Sequence, residues 1–421
     1  VSALERPTEK GTPMSAPSDE RTIAHPITLG SPEFMADQHF YYDWMRREAP
    51  VYCGRMTLLG DQDVYYVSRY RDCLAVVTDP RIQRVVPGAE PLPLPAALRM
   101  LTDHAMIYKD DPEHMRLRKL VSRPFTPKAI GRLADRVDTV TRELLDGMES
   151  GQRIDLQQDY ALPVPTTVIN EMVGVPETDR YRFRGFIEVM VDGIATYGLE
   201  MAALKMEGFI DYLRELIELR RADPGEDILT GLIHTCEDGD TLSEDEIIAM
   251  VFLLVAAGYE TTYNLITNGV AALLTHPDQL SRLKEQPDLI DSAVEEILRY
   301  TGTAGSTEPT TYAAEDLTLH NVTIPRGALV LALLASANRD PDEFPDPDTF
   351  DIARTPNSHL AFSKGNHFCL GASLARMETK IAIANLIERF PNLRLAVDPE
   401  DLRLVPIPLF NRLEGLPVVL G

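Results

Sequence analysis

One long helical run constrains this chain more than any other feature. From Ser243 to Thr275 the residues are overwhelmingly apolar, and the run opens on a serine with Glu246 three positions later. That pairing is a capping box, in which hydroxyl and carboxylate each satisfy a backbone N–H left free by the first helical turn. His276-Pro277 closes the run, because the residue before a proline is pushed out of the helical region. A helix of about thirty residues is about 45 Å long, so the rest of the chain has to wrap around it. Its longest uncharged apolar stretch, Ile247 to Gly258, falls short of the roughly 18 to 20 residues a membrane span needs. A buried core helix is expected.

With 421 residues, 44% hydrophobic and 25% charged, the chain is able to build one large core around a buried cofactor. The net charge of −24, from 41 basic and 65 acidic side chains, argues against general attraction to nucleic acid or an anionic membrane. Cysteines 53, 73, 236 and 369 lack C-x-x-C spacing, which removes a zinc knuckle or a disulfide framework and suits a reducing cytoplasm. Cys53, Cys73 and Cys236 read as inert buried thiols.

The N-terminal stretch mixes Pro, Ser, Thr and charge without the apolar core of a secretory signal. A flexible tail over 1–36 and a single domain over 37–421 are expected. Val51 to Val67 reads as a small hairpin, and Leu317 to Ile324 and Leu329 to Leu334 as β-prone runs flanking the turn Pro325-Arg326-Gly327. Between about 128 and 300, apolar residues recur at three and four, as in Ile130, Leu133, Val137, Val140 and Leu144. The body is mainly helical with small sheets, and no internal repeat is visible.

Inside the long helix, Ala256-Ala257-Gly258-Tyr259-Glu260-Thr261-Thr262 sets an acid and two hydroxyls among apolar residues. Buried polar groups are costly unless bonded or used. Either the threonines bond back to helix carbonyls and Glu260 reaches solvent, or the group has a chemical role. Further on, Phe362-Ser363-Lys364-Gly365-Asn366-His367-Phe368-Cys369-Leu370-Gly371 leads into Ala372 to Phe390, which reads as an amphipathic helix. Cys369 therefore sits at a helix start, where free N–H groups and the positive dipole end favour a thiolate, the form that ligates iron. Gly365 and Gly371 let the backbone turn tightly and approach a flat ring.

The pattern F-x-x-G-x-H-x-C-x-G, matched at every specified position, resembles the haem-binding signature of the cytochromes P-450. Ser363 departs from it, standing where many bacterial members have glycine. The resemblance extends from about Asp37 to Val419. It implies a helical prism with small β-sheets, haem b, and Cys369 as axial ligand to its iron, with Phe362, Gly365, His367 and Gly371 around the ring. Ala257 to Thr262 resembles the A-G-x-[DE]-T-[TS] motif of the family's central helix. By that resemblance Ala257 and Gly258 leave room for oxygen and substrate, and Glu260 and Thr261 form an acid and alcohol pair. Reducing one atom of dioxygen to water consumes two protons, so such a pair makes chemical sense.

Glu296-Ile297-Leu298-Arg299 is similar to the family's buried E-x-x-R, joined by a further arginine, for which Arg354 is the candidate. Their implied role is folding and haem retention. Asp111-Pro112-Glu113-His114-Met115-Arg116-Leu117-Arg118 looks like the D-P-x-H-x-x-x-R run whose His114 and Arg118 reach the haem propionates, cationic donors meeting carboxylates. His367 is the equivalent donor from the haem loop. One departure matters: Thr311 stands where many bacterial members carry a propionate-binding arginine.

The implied activity inserts one atom of O2 into an organic substrate and reduces the other to water. Electrons are expected from NAD(P)H through a ferredoxin or flavodoxin and its reductase, docking on a basic patch of Arg116, Lys119, Arg123, Lys364 and Arg376. A cytoplasmic monomer is expected. Substrate contacts are expected from Val85 to Ile107, Phe183 to Met206, Leu253 to Thr261, Gly302 to Thr310 and Ile407 to Phe410. Met106, Ile107, Leu253, Leu254, Leu409 and Phe410 make that lining apolar, suiting a terpenoid, steroid, polyketide, fatty acid or aromatic. A peroxide-using relative has Arg-Pro in place of Glu260-Thr261, and a non-catalytic haem sensor or carrier has no use for a proton pair.

Overall fold

The computed structural model describes residues 23–86, 94–122, 125–236, 239–307 and 310–421. Its axis is the central helix, Glu244–Thr275. Both arms of the capping box form: Ser243 Oγ accepts from the Glu246 N–H at 3.2 Å and Glu246 Oε2 from the Ser243 N–H at 2.7 Å. By length and composition this helix qualifies to cross a membrane. In the fold it is a core element, packed by the helices Ala96–His104, Pro163–Val173, Ile290–Thr301 and Ala372–Arg389. Ile247, Ile248, Val251, Val255, Ile266 and Val270 all enter the main hydrophobic cluster.

Among the described residues the strands form three small sheets. The largest runs, in spatial order, Thr28–Leu29, Val51–Met56, Val64–Val67, Leu329–Ala332, Tyr312–Ala313 and Ile82–Gln83. The hairpin expected over Val51 to Val67 is present, with Val51 opposite Val67. The run Leu317 to Ile324 is not one strand. It folds on itself as Leu317–Leu319 against Val322–Ile324, turning at His320 and Asn321 with φ of 49° and 63°. Asparagine tolerates the left-handed region, and it permits this turn inside a β-prone stretch.

Residues 27–36, expected to belong to a flexible tail, are packed instead. Thr28–Leu29 pairs parallel to Arg55–Met56, and Ser31 caps the helix Pro32–Ala36 by accepting from the Phe34 N–H at 3.2 Å. Ile27, Leu29 and Phe34 are each at most 2% exposed and share a cluster with Met45, Met56 and Tyr66. Three apolar side chains within a polar stretch were enough to close one face of the sheet. The expected tail before residue 23 lies outside the described residues. Cys73 is buried as expected, but Cys53 and Cys236 are exposed.

Glu296 and Arg299 are both 0% exposed, with Nε to Oε2 and Nη2 to Oε1 each at 2.8 Å. A buried ion pair is tolerable only when its remaining polar atoms are satisfied. Here Glu296 also accepts from Arg354 Nε at 3.1 Å, the Asp351 N–H at 3.0 Å and Asn357 Nδ2 at 3.1 Å. Arg299 donates to the carbonyls of Asn338, Pro347 and Thr349. The cluster thus ties the helix Ile290–Thr301 to the stretch 338–357 that precedes the cysteine loop.

Candidate active site around Cys369

The cysteine loop closes on itself. The Ser363 N–H donates to Leu360 O at 2.8 Å, the Phe368 N–H to Gly365 O at 3.1 Å and the Cys369 N–H to Phe362 O at 3.0 Å. Two residues in it are left-handed, Ser363 at φ 58° and Gly365 at φ 73°. A Cβ on Gly365 would lie 2.9 Å from Val77 O, so glycine is needed there by close approach to backbone. Ser363, where glycine would be at ease, accepts a left-handed backbone that costs roughly 1–2 kcal/mol in an L-residue. Gly371, the N-cap of Ala372–Arg389, has an ordinary φ of −83° and sits beside the sulfur, where its added Cβ would be 4.0 Å from Sγ.

Position at a helix start does not by itself make Cys369 a thiolate. Burial pushes its thiol up, against the opposing Gly371 N–H and the charges of Arg118 and Arg376. The sulfur is poised for a cation that displaces its proton.

Cys369 opens on a cavity of about 320 Å³ that gathers residues from distant segments. Phe362, His367 and Gly371 reach it from the loop, and Ala257, Gly258, Thr261 and Thr262 from the central helix. All six apolar candidates, Met106, Ile107, Leu253, Leu254, Leu409 and Phe410, line it. The segment Phe183 to Met206 contributes none of the described lining residues. Phe183 and Phe186 pack instead on Phe209 and Tyr212. Phe125, Ile169 and Met172 line the cavity without having been anticipated, since helical periodicity marks them only as core.

Thr261 Oγ1 donates back to Ala257 O at 2.5 Å while lining the cavity. Glu260 is 7% exposed and does not line it. Its Oε1 lies 3.3 Å from Arg412 Nη1, so it reaches neither solvent nor the cavity. Another acid does line the space. Glu378, on the helix after Cys369, is 1% exposed with Oε1 unbonded, and burial pushes its carboxyl up to about 8. The buried side of that helix therefore includes Glu378, Thr379 and Asn385, and is less purely apolar than expected.

A polar group of donors gathers on the same cavity: Arg84, His114, Arg118 and His367. The two imidazole rings lie 4.0 Å apart. Burial, with the Arg118 charge, pushes His114 down against Asp111. Burial and then the charges of Arg84, His114 and Arg118 push His367 down to about 3. Burial thus pushes both rings toward the neutral form, whereas Arg84 and Arg118 bring guanidinium groups to the same cavity. His114 Nδ1 is buried without a hydrogen-bond partner, with Asp111 Oδ1 at 3.5 Å. Orphaned imidazole nitrogen, guanidinium groups, a buried thiol and apolar walls together suit a flat apolar group bearing carboxylates and a thiolate-binding metal. Thr311 takes no part, since its hydroxyl donates to Val330 O.

The expected basic patch is largely neutralised. Arg116 bonds Glu113, Asp240 and Glu246, and Arg376 grips Glu295 at 2.6 and 2.9 Å. Lys119 also has a partner, Lys364 lies 6.0 Å from the Phe368 ring centroid, and Arg123 lies outside the described residues.

Comparison with known proteins shows the family. The family model described as Cytochrome P450 matches residues 94–403. Cytochrome P450 107B1 of Saccharopolyspora erythraea is 42% identical over 91% of this chain and 95% of its own length. Vitamin D(3) 25-hydroxylase of Pseudonocardia autotrophica is 41% identical over 95% of this chain and 97% of its own. The structure of Cytochrome P450 PksS, from the bacillaene polyketide synthase of Bacillus subtilis, superposes with a TM-score of 0.88 at 38% identity, covering 95% of this chain and all of that one. The chain belongs to the cytochrome P450 family and is a monooxygenase that uses haem b, O2 and electrons drawn from NAD(P)H through partner proteins.

Proposed function

We propose that Cys369 supplies the axial thiolate and that the chain hydroxylates or epoxidises an apolar or amphipathic organic molecule. The observation that supports this reading is one cavity lined by Cys369, Thr261 and a largely apolar set of side chains. Haem, when bound, supplies the oxidising chemistry, made electron-rich by a thiolate ligand. His114, Arg118 and His367 hold its propionates, while Phe362, Gly365 and Gly371 shape the loop beside it. Ala257 and Gly258 keep the central helix narrow where oxygen and substrate enter.

Thr261 lines the cavity, and the donation of its hydroxyl to Ala257 O leaves the oxygen able to accept a hydrogen bond. Glu260 relays protons by exchanging Arg412 for the interior. Glu296, Arg299 and Arg354 act on folding and haem retention alone. Electrons arrive from a ferredoxin or flavodoxin with its reductase, in the cytoplasm, and the chain works as a monomer.

Two of the three relatives named above guide the choice of substrate, one by a polyketide synthase and one by a vitamin D compound. A polyketide lactone heads the panel, followed by secosteroids and fatty acids, each titrated into the haem protein and read by the ligand-induced shift of the Soret band. Micromolar binding by an apolar member supports the reading. Shifts confined to small polar compounds overturn it.

A further inference from the structure

We propose that Arg84 supplies, from the facing strand, the haem-propionate contact that Thr311 lacks. The inference rests on the propionate role proposed above for His114, Arg118 and His367. The strand Ile82–Gln83 runs antiparallel to Tyr312–Ala313, with Ile82 opposite Ala313 and Gln83 opposite Tyr312. Continuing that register by one residue sets Arg84 across from Thr311. Directly opposed residues of an antiparallel pair project to the same face of the sheet. An arginine lost at 311 is therefore recovered one strand over, on the same side.

The surroundings fit such a substitution. Arg84 lines the cavity beside His114, Arg118 and His367, whereas Thr311 does not. Thr311 is 8% exposed, and its hydroxyl is engaged by the carbonyl of Val330. The next residue, Thr310, accepts from Arg84 Nη1 at 3.0 Å and steadies the guanidinium. Asp110 fixes the backbone, accepting from the Arg84 N–H at 2.8 Å and the Val85 N–H at 2.9 Å. Because Asp110 directly precedes the run Asp111 to Arg118, that clamp sets Arg84 in register with the helix Glu113–Val121 that carries His114 and Arg118. A planar guanidinium on this site can grip a carboxylate with two parallel bonds, which a lysine cannot.

The test follows haem loss from the purified haem protein to excess apomyoglobin, with circular dichroism to verify that each variant is folded. Arg84→Leu is expected to lose haem about tenfold faster, and Arg84→Lys to fall between it and the parent, because charge remains without the fork. Combining Arg84→Thr with Thr311→Arg should restore slow loss, and failure to restore it contradicts a shared site. Arg118→Leu tests the underlying reading. If it accelerates loss while Arg84→Leu and Arg84→Lys match the parent, Arg84 is not a propionate ligand. If none of the three accelerates loss, the propionate role of this whole group is wrong, and this proposal falls with it.

Discussion

Arg412 Nη1 lies 3.3 Å from Glu260 Oε1, so the acid of the central helix is held by a residue 152 positions further along the chain. Both side chains are nearly buried, at 13% and 10% exposure. The pairing withdraws Glu260 from the cavity that its neighbour Thr261 lines. Glu260→Gln removes the titratable carboxyl while keeping the shape. Turnover should fall by about 100-fold, the scale of positioned acid–base catalysis, with haem content unchanged. Product formation at saturating reductant checks this, and an unaltered rate would remove Glu260 from the relay.

Thr261→Ala deletes, from a residue that lines the cavity, the hydroxyl that donates to Ala257 O. Haem should stay bound and NAD(P)H should still be consumed, with most of the reducing equivalents appearing as peroxide or water. The ratio of product to NAD(P)H oxidised reads this directly. Parent-like coupling contradicts a part for Thr261 in proton delivery.

Glu296→Ala leaves Arg299 charged, fully buried and without its carboxylate. Breaking such a pair costs about 3–5 kcal/mol, enough to exhaust much of a domain's stability. The variant should be recovered haem-poor or insoluble, and Glu296→Gln, which keeps one acceptor oxygen of the two that Arg354 and Asn357 use, should be milder. Melting of the alanine variant at the parent temperature would refute the structural role.

Glu378 gives a pH signature. Its folded carboxyl is pushed up to about 8 by burial, from an ordinary value of 4.5. Between those values the unfolded chain has released a proton that the folded chain keeps, so this group makes stability fall as pH rises from about 4.5 to 8. Glu378→Gln should therefore leave the melting temperature near that of the parent at pH 5 and raise it by a few degrees at pH 9. Melting curves of the haem-free protein at both values test it, and equal melting temperatures at pH 9 would contradict a buried, unbonded acid.

Short-range signals were legible because their physics is local. The capping box at Ser243 and Glu246 lies within one turn, and the loop around Cys369 carries its turn residues in ten consecutive positions. Glu296 and Arg299 share a helix face, and the resemblance offered Arg354, which does bond Glu296 from 58 residues away, whereas the bond from Asn357, 61 residues away, had no sequence signal. Arg412 and Arg84 left no local trace, for each meets its partners through tertiary contacts. Phe183 to Met206 carries the apolar spacing of a pocket wall, but its aromatic rings pack within the neighbouring helices. Ile27, Leu29 and Phe34 escaped notice because three apolar residues in a polar stretch show no period until a sheet edge receives them.

Cys369 is the residue on which the assignment turns, and the reduced carbonyl complex reports its ligation spectroscopically. The purified parent, reduced and exposed to carbon monoxide, should show the strongly red-shifted Soret band of a thiolate-bound haem. Cys369→Ser should lose that band while retaining the fold by circular dichroism. A red-shifted band that survives Cys369→Ser would show that another residue binds the iron and would contradict the arrangement described here.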